Sequence, residues 1–166
     1  MVCYNATKHL QRIVVGINIV AQNKKARHDY EILEKFEAGI VLVGAEVKAL
    51  RAKRANLADS YCRFIQGELY ILNAHIAHLE TTVKHYVPDT RVPRKLLLHK
   101  KELEKLYAKV HKDGYTIVPL MIYFNEKNLA KVSIAIAKGK QLHDKRADMK
   151  AKTLDREAQQ SIKNRE

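Results

Sequence analysis

The abrupt end of strand-like patterning at residues 138–146, KGKQLHDKR, constrains the fold of this chain more than any other feature. Every tyrosine, phenylalanine, proline and glycine lies at or before Gly139, and none follows it. Aromatic rings fill cores, and glycine and proline punctuate turns, so a segment without any of them lacks both the bulk and the punctuation of a compact domain. The chain is therefore expected to be one folded body with a separate arm: residues 1–20 an N-terminal extension, 21–139 the body, 140–166 the tail.

The chain's 166 residues suffice for one core that needs no crosslink. Its 31 Lys+Arg against 18 Asp+Glu give a formal charge of +13, which favours a polyanionic partner. Residues 140–166 hold 8 basic and 5 acidic residues, leaving 23 against 13 in the body, so most of the basicity belongs to the folded part. Two cysteines, Cys3 and Cys62, argue against a disulfide framework and suit a reducing compartment, the cytoplasm. The apolar run Ile13 to Val20 is broken by Gly16 and Asn18 and reads as a first strand or a loose extension. No stretch reaches the about 20 apolar residues needed to cross a bilayer, so no membrane partner is expected.

Along the body, Tyr30 to Phe36 and Ile40 to Val43 read as paired strands split at Ala38-Gly39. Gly44 opens AEVKALRAKRA, whose Ala, Leu, Lys and Arg content predicts a short basic helix. Residues 60–66 and 68–76 flank Gln66-Gly67 as a hairpin. Residues 78–94, broken by Pro88, Asp89 and Pro93, read as a long loop, and five Lys/Arg without an acid between Thr90 and Lys101 point it at something negative. Leu103, Leu106, Tyr107 and Val110 have the spacing of one buried helical face, which Gly114 stops.

Two more strands follow, Tyr115 to Tyr123 with Pro119 at an edge or bulge, and Lys131 to Ala137, joined by a turn over 125–128. Six or seven short strands with two inserted helices suit a small closed barrel, mainly β and of the oligonucleotide-binding type. In the tail, Ala147, Ala151, Leu154, Ala158 and Ile162 would form a stripe on a helix. Three of the five are alanine, too little apolar surface to offset chain entropy in isolation. The tail is expected to be disordered when free and helical in a binding site.

The blocks NKKARHDYEILEKFEAGIVLVGAEVKALRA (23–52), ANLADSY (55–61), RKLLLHKKEL (94–103), GYTIVPLMIYF (114–124) and AKGKQLHDKR (137–146) resemble the small protein B family in order and spacing, over about residues 20–150. The resemblance implies a non-enzymatic protein that needs no cofactor or metal. It would have an oligonucleotide-binding-like barrel that grips the tRNA-like domain of transfer-messenger RNA. It would deliver the alanyl-charged RNA with elongation factor Tu to stalled ribosomes for trans-translation. The tail would enter the vacant messenger channel, against 16S ribosomal RNA near the decoding centre, and become helical there.

Residue by residue, Asn23, Glu37 and Leu97 match family positions tied to RNA binding, and His99 occupies another. Lys24, Lys25, Arg27, Arg94 and Lys95 have the chemistry to meet phosphates, while Asn23 and His99 can bond bases or ribose hydroxyls. Glu37 repels phosphate, so a base amino group, a ribose hydroxyl or an arginine suits it better. His143, Asp144, Lys145 and Arg146 match the family's decoding-centre segment, and Gly139 would let the arm leave the barrel at a free angle. The loop departs from the family pattern, since VPDTRVPRK places Pro88 before Asp89 and Val92 between the basic positions; Arg91 is left out of the site for that reason.

Taken singly, each residue has a plainer reading: the run 91–101 as a solvated face, Glu37 as a surface carboxylate, Leu97 as core, His143 as a surface histidine. A zinc site from Cys62, His75, His78 and His85 fits no standard spacing. A nuclease using His28 and Glu37 is the competing enzymatic reading, and a general RNA chaperone the competing binder.

Overall fold

The computed structural model describes residues 17–79 and 89–140. The elements run β1 (Asn18–Gln22), α1 (Lys24–Asp29), β2 (Tyr30–Ile40), α2 (Gly44–Arg51), β3 (Ala55–Asn56), β4 (Tyr61–Ile65), β5 (Glu68–Leu72), β6 (His75–Ile76), β7 (Arg94–Leu97), α3 (Lys100–Asp113), β8 (Thr116–Phe124) and β9 (Ala130–Gly139). The order β8-β4-β5-β7-β2-β9 closes on itself because β9 also pairs with β8, every pairing being antiparallel. The result is a six-stranded barrel with β1 added along β8 and a two-stranded β3–β6 ribbon beside it.

Alternation dictates the core. Ala38, Leu69, Ile71, Leu96, Ile117, Ile122, Val132, Ile134 and Ile136 are almost wholly buried, joined by Leu50 of α2 and Leu106 of α3. The β4–β5 hairpin turns on Gln66 (φ 51°) and Gly67 (φ 80°), the pair of left-handed residues that matches strand twist. In the β8–β9 turn the Asn125 carboxamide oxygen accepts from the Lys127 and Leu129 N–H groups at 3.1 and 2.9 Å. Gly114, at φ 66°, ends α3.

Several expectations need correction. Tyr30 to Ile40 is one strand rather than two: Ala38 is fully buried opposite Val132, and Gly39 lies so close to Leu97 that an added Cβ would sit 3.4 Å from it. The basic cluster after Gln22 is a helix, α1, so the described residues form three helices and nine strands where two and six or seven were expected. Pro119 marks a bulge, with a register shift between Pro119 and Met121, but β8 is no edge strand; its neighbours are β1 and β4 on one side and β9 on the other. Tyr107 is 47% exposed, stacked beside His111 and edge-on to Phe64 instead of entering the core.

Cys62 faces the barrel interior, and burial pushes its thiol pKa well above the ordinary value. The thiolate, not the thiol, is the nucleophile that attacks an electrophilic thiol reagent. Cys62 in the native protein should therefore react at least about 100-fold more slowly than in the urea-unfolded chain, followed peptide by peptide by mass spectrometry. Equal rates would mean that β4 opens freely.

Candidate nucleic-acid interface

The candidate residues gather on the outer wall made by β2, β9 and β8, and the register sets their spacing. Glu37 lies opposite Ser133, which lies opposite Met121. The next rung one way is Lys35, Ala135 and Val118; the next rung the other way is Gly39, Lys131 and Tyr123. Ala135 and Val118 pack against Ala26 of α1 in a small apolar cluster with Leu120 and Ala137. The helix thus sits one rung from Glu37, about 7 Å along the strand.

Asn23 begins α1: its side-chain oxygen accepts from the Ala26 N–H at 3.0 Å, while its own N–H donates to the Leu120 carbonyl at 2.8 Å. It is 5% exposed, so its role is to cap and anchor α1, not to meet a base directly. With Ala26 turned to the barrel, Lys24, Lys25 and Arg27 are left exposed. Lys25 has an exposed pairing with Asp59 at 3.5 Å, which is weak enough for a phosphate to replace.

The Glu37 carboxylate is oriented from two sides. The Tyr123 hydroxyl donates to Oε2, and Lys131 Nζ stands 3.3 Å from Oε1. Partial burial, together with that carboxylate, raises the Tyr123 pKa far above its ordinary value, so the phenol remains a donor at all physiological pH. Held this way, Glu37 still lines an open cleft of about 370 Å³ with Leu97, Leu98, His99, Glu102 and Lys131. Leu97 is 51% exposed, which excludes the plain reading of it as core. His99 precedes α3, its N–H donating to Glu102 at 3.2 Å. Leu97 and Lys131 also border an apolar groove of about 530 Å³ with Ile40, Leu42, Val47, Phe124 and Leu129.

Three of the expected residues, Glu37, Leu97 and His99, therefore share one cleft, and α1, which carries Lys24 and Arg27, packs on the same sheet face one rung from Glu37. Lys95 is outward but bonded to Glu68, a bond that lowers the Glu68 pKa and raises that of Lys95. Arg94 departs from expectation most. It is 3% exposed, donating to Glu46 at 2.7 Å and to the carbonyls of Ala74, Val92 and Thr90 at 2.6, 3.2 and 3.1 Å. A guanidinium spent on four internal acceptors has no role against phosphate, because β7 alternation turns Arg94 and Leu96 inward and Lys95 and Leu97 outward.

Gly139 is also corrected: it pairs with Tyr30 in the ladder without a left-handed φ, and the Lys140 N–H continues to the Asp29 carbonyl at 3.0 Å. His143, Asp144, Lys145 and Arg146 lie outside the described residues. Tyr123 and Lys131 were not anticipated. The turn over 125–128 could have paired them, but nothing local placed Glu37 beside that pair.

The arrangement offers carboxylate acceptance, an apolar platform and an imidazole beside cations, which suits bases and riboses flanked by phosphates. His28 and Glu37, the pair of the nuclease reading, have separate partners: His28 bonds Asp29 at 2.9 Å, and Glu37 bonds Tyr123 and Lys131. Among the described residues no group of three His, Cys, Asp or Glu is placed to hold a metal, and no helix is long and apolar enough to cross a membrane.

Residues 20–164 match the family described as SmpB protein. The chain is 84% identical over 151 residues to an SsrA-binding protein of Sulfurovum sp. (strain NBC37-1), covering 91% of this chain and 99% of that one. It is 58% identical over 144 residues to an SsrA-binding protein of Campylobacter curvus (strain 525.92), covering 87% and 96%. A solved structure described as "tmRNA-SmpB: a journey to the center of the bacterial ribosome" contains a similar chain at 52% identity and a TM-score of 0.61, covering 73% of this chain and 84% of that one. With a family match over residues 20–164 and 84% identity to a relative over most of its length, this chain belongs to the SmpB family.

Proposed function

We propose that this chain binds the tRNA-like domain of transfer-messenger RNA and, in the cytoplasm, delivers the alanyl-charged RNA with elongation factor Tu to stalled ribosomes for trans-translation. It acts by binding and performs no chemical step. The observation that carries this reading is the convergence of Glu37, Leu97 and His99 in one open cleft beside the cations of α1, on a chain whose relatives are named as SsrA-binding proteins.

Each group has a distinct role. Lys24, Lys25 and Arg27 meet phosphates and set the register of the RNA. Asn23 holds α1 in place. Glu37 has acceptor lone pairs beyond those used by Tyr123 and Lys131, and these take a base amino group or a ribose hydroxyl. Leu97 supports the face of an unstacked base, and His99 bonds or stacks at the cleft mouth. Lys95 exchanges Glu68 for phosphate at little cost, because both are exposed. Residues 21–139 form the RNA-holding body and 140–166 the arm for the messenger channel, where His143, Asp144, Lys145 and Arg146 meet the decoding centre.

Replacing Glu37 by Gln should weaken binding of the tRNA-like domain by about tenfold, the scale of one charge-assisted hydrogen bond. Leu97→Ala should act similarly, and neither should shift the melting temperature, since both side chains are exposed. Filter binding with bulk tRNA as competitor provides the test. A wild-type protein that at 200 mM salt holds both RNAs equally is a general RNA chaperone and defeats the reading, because nonspecific phosphate binding fades steeply with salt while specific contacts persist.

A further inference from the structure

At the end of α2, Lys48, Arg51, Lys53 and Arg54 are exposed, and none has an ion pair among the described residues. The carboxylate of this helix, Glu46, is buried and committed to Arg94. Lys48 and Arg51 have an ordinary use in the last turn, where positive charge complements the helix carbonyls. Lys53 and Arg54 lie beyond the helix and do not share it.

The conformation at Lys53 separates function from stability. The Lys53 N–H donates to the Leu50 carbonyl at 2.9 Å and the Arg54 N–H to the Ala49 carbonyl at 3.0 Å, the two bonds of a Schellman ending. This places Lys53 at φ 56°, the left-handed position that such endings usually give to glycine. A side chain there strains the backbone and contributes nothing to the internal bonds. The Arg54 carbonyl is fixed by the Ala77 N–H at 3.0 Å, so both cations project from a rigid corner.

That corner lies near α1. Asp59 lies five positions after Arg54, a span of at most about 18 Å, and pairs with Lys25 of α1. We propose that Lys48, Arg51, Lys53 and Arg54 form a second phosphate-binding site that continues the track from α1, gripping a further stretch of the sugar-phosphate backbone of the same folded RNA. The proposal rests on the RNA-binding reading above and extends it to a surface outside the Glu37–Leu97 cleft.

The test uses the full chain and a transcribed tRNA-like domain. The variant Lys48→Gln/Arg51→Gln/Lys53→Gly/Arg54→Gln should bind about tenfold or more weakly at 150 mM salt, and its log-affinity against log-salt slope should be shallower by about 3, as four lost phosphate contacts require. Lys53→Gly alone should lower the slope by about 1 while leaving the melting temperature equal or higher. Wild-type slope and affinity in the fourfold variant would overturn the proposal. So would a variant that keeps the tRNA-like domain but loses small ribosomal subunits, since the cations would then face a different RNA. A Lys53→Gly protein that melts lower with unchanged affinity would mark Lys53 as structural and overturn its part. Should the wild-type protein itself show no preference for the tRNA-like domain, the functional reading fails first, and the two failures are distinct.

Discussion

Arg94→Ala should cost about 3–5 kcal/mol of stability, the range for removing one partner of a buried ion pair. At about 2–4 °C per kcal/mol for a chain of this size, the melting temperature should fall by about 6–20 °C. The physical reason lies in what is left behind. Glu46 is 2% exposed and would keep a buried charge whose remaining contact is the Val43 N–H at 3.0 Å, and the carbonyls of Ala74, Val92 and Thr90 would lose their donor. The network joins the start of α2, the turn after β5 and the segment before β7, so its loss loosens three elements together. Arg94→Lys should rescue little, since one ammonium cannot reproduce the fork that reaches four acceptors. Thermal melting of the purified variants is the check. A melting temperature within about 2 °C of wild type, with RNA affinity alone reduced, would return Arg94 to the phosphate-binding set.

That residue marks where sequence reading stopped. The run 91–101 is basic and acid-free, and charge composition alone treats its cations alike. Only the alternation of a four-residue strand separates Arg94 and Leu96, inward, from Lys95 and Leu97, outward, and a strand that short bears no legible period. The α1 helix was hidden for a related reason: six residues with one buried side chain, Ala26, make no periodic signal, and the cap at Asn23 was the sole local cue. At Ala38-Gly39, glycine reads as punctuation, whereas here it lets β7 approach β2. Longer patterns were legible, including the alternating β9, the Gln66-Gly67 hairpin, the helix stopped by Gly114 and the closed barrel they require. Glu37, Leu97 and His99 came through family resemblance. Their meeting with Tyr123 and Lys131 is set by pairings across three strands, which no local window contains.

Ending the chain after Lys140 should leave binding of the tRNA-like domain within about twofold of wild type, for a body whose described contacts and phosphate-facing cations are all retained. The same truncation should abolish peptide tagging on stalled ribosomes. The first half follows from placement: β9 closes at Gly139, the Lys140 N–H still reaches Asp29, and +10 of the +13 formal charge lies before residue 140. The second follows from the arm's chemistry. His143, Asp144, Lys145 and Arg146 open a segment in which Ala147, Ala151, Leu154, Ala158 and Ile162 fall on one stripe only if the segment is helical. On the proposed reading, so thin a stripe would offset the entropy of ordering only where a channel wall supplies the missing contacts, and folding of the arm would then depend on a vacant messenger path. Replacing His143, Asp144, Lys145 and Arg146 together in the full-length chain should reduce tagging in the same direction without changing RNA affinity. Tagging at the wild-type rate by the truncated protein, measured beside an affinity that shows it still holds its RNA, would mean that the barrel alone senses the stalled ribosome.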